Sequence, residues 1–167
     1  MKIAHSTLAA LIVFTCAAPS QQAGSAQGTN PTFSLSISAA QEVVKSGSAV
    51  TVQVVLTNIS DHKIGFPWLL GHPAWNYELN VRDSQGNAVQ PAPRNWVDKD
   101  GRHHARIRAG SVTALSLEPG EAMKHEFDVR DFKTLAQPGK YTIQVQRTDD
   151  ESKSEVKSNT LTVTVTP

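Results

Sequence analysis

The chain has 167 residues and a single cysteine, Cys16. The part that folds therefore holds no disulfide, no cysteine-ligated zinc and no iron–sulfur cluster. No apolar run is long enough to cross a bilayer as a helix. The longest, Leu8 to Ala18, is broken only by Thr15. An excess of one charge is missing as well: 16 Lys and Arg stand against 15 Asp and Glu, and Lys2 alone makes the difference. Non-specific attraction to nucleic acid or to an acidic membrane is unsupported, so no nucleic-acid partner is expected. HExxH and Gly-x-Ser-x-Gly are absent, as is any amphipathic helix of useful length. The expectation is a protein that is not an enzyme and carries no cofactor.

What is present starts with an address. Lys2 precedes the apolar run, and small residues follow it. That order is a secretory signal peptide, read as residues 1–26 with cleavage before Gln27, a short linker at 27–31 and one domain at 32–167. The expected location is secreted or periplasmic. Cys16 keeps a second reading open, a lipoprotein acylated at that residue, with "SQQAGSAQGTN" as tether. Val13 and Thr15 stand where such a signal prefers Leu and a small residue. Membrane contact is expected only through that anchor.

The domain itself is written in period two. Apolar residues alternate at Phe33, Leu35 and Ile37, at Val50 to Leu56, at Tyr77, Leu79 and Val81, and at Met123 to Val129. They do so again at Tyr141, Ile143 and Val145, and at Leu161, Val163 and Val165. Successive strand residues point to opposite faces, so each run has one apolar face, the pattern of antiparallel sheets packed on one side. Gly, Pro, Asn and Asp clusters divide the runs. The fold class expected is all-β, an immunoglobulin-like antiparallel β-sandwich of about seven to nine strands. In "LAQPGKYTIQV", Tyr141 opens a strand just after a Pro-Gly corner, the place of a tyrosine corner, where the hydroxyl braces the backbone.

The order "GSAVTVQVVLTNISD", "YELNVRDSQGNAV", "LSLEPGEAMKHEFDV", "PGKYTIQVQR", "SNTLTVTV" resembles bacterial and fungal immunoglobulin-like sandwich domains over residues 33 to 166. It looks like the sandwich beside the catalytic domain of the deuterolysin-like lysine-specific metallopeptidases. It is also similar to the bacterial intracellular proteinase inhibitor family. The resemblance implies the fold and carries over no catalytic residue.

Two stretches do not fit plain strands. "GFPWLLGHPAW" holds two Trp, and Pro67 and Pro73 suit loops or edges, so it reads as a structured loop. Either Trp68, Leu69 and Leu70 close one end of the core, or Trp68 and Trp75 form an aromatic ledge for a partner. Trp68 is assigned to structure and Trp75 to the surface. "RNWVDKDGRHHARIRAGS" is basic and lies between strand-like "NAVQPA" and "SVTALSL". It is a solvated loop, or a partner-facing one anchored by Trp96. The binding candidates are Trp75, Trp96, His72, Arg102, His103 and His104. Tyr141 and Trp68 are the structural candidates. An unknown protein or a carbohydrate is the expected partner. Function reads as an exported, non-enzymatic binding module, with two alternatives: an extracellular protease inhibitor, or a secreted metal- or substrate-handling protein using loop histidines. His62 and His72 flank one loop and could converge with His103 or His104 only through the fold, so no metal site is assigned. His125, in phase with Phe127, reads as a core-edge residue. Asp149, Asp150 and Glu151 read as a solvated loop, and "NIS" at Asn58 as a strand-end turn.

Overall fold

The computed structural model describes residues 30–71, 73–92, 95–97, 103–105, 111–131, 133–135 and 137–167, with backbone alone at 95–97 and 103–105. The leader reading, Cys16, His72 and Arg102 lie outside the described residues. In chain order the strands are β1 Phe33–Ala39, β2 Val43–Lys45, β3 Thr51–Asn58, β4 Ile64–Leu69, β5 Glu78–Arg82 and β6 Asn95–Val97. Then come β7 His103–Ala105, β8 Val112–Leu117, β9 Ala122–Asp128, β10 Gly139–Thr148, β11 Glu155–Lys157 and β12 Leu161–Thr166.

Strand β3 shows why these residues fold this way. Its alternation has no break, and Val52, Val54 and Leu56 are fully buried at 0% exposure. It lies between β1 and β9, antiparallel to both, and these three form the first sheet. In the second sheet β10 is central, with β5 on one flank and β12 and β11 on the other, all antiparallel. Ile143, Val145 and Val163 face the first sheet, also at 0% exposure. Fully burying such a side chain stabilises by roughly 1.5–3 kcal/mol relative to leaving it in water.

The edge strand of the first sheet changes partner within a few residues. β1 pairs with β3, the chain turns at Ala40 to Glu42, and β2 then pairs parallel with β12 in the other sheet. With β1, β3 and β9 on one side and β5, β10 and β12 on the other, this is the A-B-E and C-F-G division of an immunoglobulin-like sandwich. The tyrosine corner is present: the Tyr141 hydroxyl donates to the Gln137 carbonyl at 2.7 Å. Gly120, with φ 78°, makes the turn from β8 to β9 and donates its N–H to the Asn58 carbonyl at 3.0 Å.

Three local expectations are corrected. "GFPW" is not loop: Phe66, Pro67 and Trp68 lie inside β4, which pairs with β8 in a separate two-stranded ribbon. Pro67 is tolerated because it faces the outer edge, where no ladder donor is needed. "NAVQPA" is not a strand but makes isolated bridges, Ala88 with Arg82 and Pro91 with Lys133. Asp149 is not solvated. It is 2% exposed and accepts hydrogen bonds from Thr32 N at 2.7 Å, Glu151 N at 3.0 Å and the Ser152 hydroxyl at 2.7 Å. Burial pushes its carboxyl up, and these hydrogen bonds outweigh burial and hold it below the ordinary range.

Candidate interaction surface

The ribbon is seated by a cluster of aromatic and polar side chains. Strand β4 turns Ile64, Phe66 and Trp68 inward, and Trp68 is 5% exposed. Its indole stacks on His125 of β9, with centroids 4.5 Å apart and planes at 26°. Tyr77 meets the same indole edge-on at 5.9 Å, and Phe66 does so at 6.2 Å. The Arg147 guanidinium of β10 lies 5.1 Å from the Phe66 ring centre and 5.6 Å from that of Trp68, within cation–π range. Arg147 donates to the carbonyls of Pro67 at 2.9 Å and Asn76 at 3.0 Å. The 3-10 turn Pro73–Asn76 supplies a second tie. Leu69 N donates to Asn76 Oδ1 at 2.8 Å, and Asn76 Nδ2 donates to Leu69 O at 3.0 Å. One amide thus takes the place of a neighbouring strand.

The environment shifts three of these groups, each through burial. The Tyr77 hydroxyl is held well above the usual phenol range, the His125 imidazole is pushed down, and the Arg147 guanidinium is held below its ordinary value. Among the described residues, the buried side-chain atoms without a hydrogen-bond partner are Tyr77 Oη, His125 Nε2 and Arg147 Nε, all in this cluster. The adjacent space, lined by residues including Phe66, Arg147 and Asp149, has a volume of about 10 Å³. That is room for one water at most. The cluster serves to hold β4 against the sandwich.

Trp68 is core, as its apolar neighbours imply. Trp75 is half-buried in the 3-10 turn, not fully exposed. Trp96 sits opposite His104, and Val97 opposite His103, in the β6–β7 hairpin, so the fold does bring Trp96 and the paired histidines to one hairpin. Their side chains lie outside the described residues. The His62 ring is held by two carboxylates: Nδ1 lies 2.9 Å from Asp61 and Nε2 2.9 Å from Glu151. Hydrogen bonds to these two carboxylates raise its pKa. Among the described residues, no group of His, Cys, Asp and Glu is arranged to hold a metal ion. The sequon asparagine is used structurally: Asn58 is 1% exposed and its side chain bonds the carbonyls of His62 and Leu117 at 2.9 Å each.

Sequence reading missed Arg147, although a signal existed. Arg147 is in phase with Tyr141, Ile143 and Val145, so an arginine occupies an inward position of an otherwise apolar face. Nothing local marks Asn76 as the clamp on Leu69.

The family model for the flagellar collar protein C N-terminal domain matches residues 39–166. The chain belongs to that family. The collar-family domain has no match among curated proteins. Its fold is similar to part of a β-glucosidase from Erythrobacter marinus (18% identity, 81% of this chain, 16% of that one, TM-score 0.44). It is similar too to the CARDB domain of a Pyrococcus furiosus protein (17% identity, 81% of this chain, 94% of that one, TM-score 0.40). A third likeness is to the alkylpurine DNA glycosylase AlkC of Pseudomonas fluorescens (13% identity, 82% of this chain, 31% of that one, TM-score 0.43). The collar-family domain thus spans a small part of both enzymes, and the likeness concerns the fold alone.

Proposed function

We propose that the chain is an exported, non-enzymatic structural module that joins a protein assembly, of which a flagellar collar is the model the family offers. The observation that carries this is the family match to residues 39–166. The ribbon supports it: β4 and β8 stand outside both sheets, yet Arg147, Asn76 and His125 fix them in place. A rigid extra element on a sandwich is where recognition is placed. The partner is a protein, met by the ribbon, the Pro73–Asn76 turn with Trp75 and the β6–β7 hairpin. Export rests on the leader reading of residues 1–26. Mass spectrometry of the mature N-terminus tests it: a chain beginning at Gln27 supports a soluble protein, an acylated Cys16 a lipoprotein.

Photo-crosslinking in the native cell tests the module itself. A crosslinker at Leu70 or Trp75 should trap a defined protein, and one at Lys140, away from the ribbon, should not. If neither Leu70 nor Trp75 gives a protein adduct, the module reading fails. The rivals are an extracellular protease inhibitor and a secreted metal- or substrate-handling protein using loop histidines. Stoichiometric inhibition of an extracellular protease, or stoichiometric zinc or copper in protein purified without a His tag, would displace the module reading.

A further inference from the structure

Every sheet edge poses the same problem, a row of backbone donors and acceptors open to any other chain. Most edges here are closed. On β1, Asp149 takes the N–H of Thr32 at 2.7 Å, and Asn159 clamps Ile37 from both sides at 2.8 and 3.0 Å. On β4, Asn76 clamps Leu69, Arg147 takes the Pro67 carbonyl, and Pro67 has no N–H to offer. The Val81 carbonyl of β5 accepts from Val89 N at 2.9 Å. β2 is three residues long. β9 presents Lys124 and Glu126, exposed charges that blunt an edge.

Strand β8 differs. Leu70 N donates to Ser111 O at 2.8 Å, which sets the phase of its ladder with β4. Alternate residues Ser111, Thr113, Leu115 and Leu117 therefore turn their backbone groups to β4, while Val112, Ala114 and Ser116 turn theirs outward. Among the described residues, no strand pairs with that outer edge. The segment "SVTALSL" has no charge, no proline and no glycine. Val112 is 67% exposed, and Ala114 and Ser116 are exposed beside it. No device on this strand opposes pairing.

We propose that β8 pairs antiparallel with β8 of a second copy of this chain, making a two-fold dimer through a continuous four-stranded ribbon. The choice of occupant follows from the strand itself. With the two-fold axis on Ala114, Ala114 meets Ala114, Val112 meets Ser116 and Thr113 meets Leu115. The outward backbone groups of Val112, Ala114 and Ser116 are then satisfied in hydrogen-bonded pairs. This register keeps the two exposed faces on one side of the joined ribbon and the two inward faces on the other, which a one-residue slip would not. An uncharged strand brings no like charges together against its own copy, and a two-fold contact closes on itself instead of growing into a filament. The inference deepens the structural-module reading and rests on it.

The test is a charge exchange at Ala114, whose side chain is exposed, so substitution there leaves the core alone. Sedimentation equilibrium at up to about 1 mM covers the range of a small, weak interface. The wild type should dimerise. A114K alone and A114E alone should each be monomeric, because like charges then face each other across the axis. An equimolar mixture of A114K and A114E should recover a heterodimer, and Ala114→Ser should dimerise like the wild type. Circular dichroism checks that each variant is folded. As a measurement free of substitution, amide exchange at Ala114 and Ser116 should slow as concentration rises, with Thr113 unchanged. A monomeric wild type overturns the proposal, as does A114K dimerising as well as wild type, or a mixture that stays monomeric. A monomeric wild type with crosslinks from Leu70 to another protein would sink self-pairing and leave the module reading standing.

Discussion

The sandwich core and the β4–β8 ribbon are both made of alternating strands, yet they are held by different forces. Between the two sheets the contacts are aliphatic. Val52, Val54 and Leu56 oppose Ile143, Val145 and Val163, and any residue of similar size and apolarity would do much the same. The ribbon also buries Ile64, Phe66, Trp68 and Leu117, but its seat adds directional contacts: one stacked pair, one arginine and one asparagine clamp. Burial is forgiving in chemistry and unforgiving in volume, whereas directional bonds fail when a single atom is lost. Damage to the core should therefore unfold the whole domain, and damage to the seat should loosen the ribbon first.

The largest effect expected is from the core. Leu56→Ala should cost about 2–5 kcal/mol in urea unfolding, in a single transition that takes the ribbon with it. Next comes Arg147→Ala, which removes the cation–π contact and strands two carbonyls. It should cost about 2 kcal/mol, and amide exchange should speed up in β4 and β8 more than in β3. If β3 loses as much protection as β4, the contrast between the two regions is wrong. Asn76→Ala should cost about 1–2 kcal/mol with the same local signature, while Asn159→Ala, the matching clamp on β1, should loosen the sandwich itself. Tyr141→Phe removes the corner bond and should cost about 1 kcal/mol without a local signature.

The smallest effect sharpens the comparison through pH. Burial lowers the His125 pKa, so the unfolded chain takes up a proton that the folded one resists. Stability from this group is full above the unfolded value of about 6.5 and falls as pH drops below it. His62 acts in the opposite sense, since its raised pKa adds stability that is lost as pH rises through the folded value, but it is exposed and contributes little. Urea midpoints measured in a His62→Gln background should fall from pH 7 to pH 5. His125→Phe, which keeps a ring on Trp68, should flatten that fall. Asp128 and Asp149 lose their stabilising effect only lower, in the carboxylate range. An unchanged slope in the His125 variant would remove this histidine from the seat of the ribbon.

Much of this was legible in the chain alone, because period two is a local property. The alternation from Phe33 to Val165 names the buried faces, and the Pro-Gly before Tyr141 marks the corner whose hydroxyl bond is present. Trp68 could be placed inside by the apolar residues that follow it, and His125 at the core edge by phase with Phe127. Alternation alone thus specifies an all-β chain and the inward side chains of its alternating strands. The assembled fold was needed to show that β4 runs through Pro67 as an edge strand, that Asp149 is buried under Thr32, and that Asn76 and Asn159 clamp two edges. It also shows that, among the described residues, no strand covers the outer edge of β8. Whether a polar side chain is satisfied, or a backbone edge covered, depends on groups far away in sequence. Thr32 and Asp149 are joined across 117 positions and Asn159 and Ile37 across 122, and no local pattern carries that information.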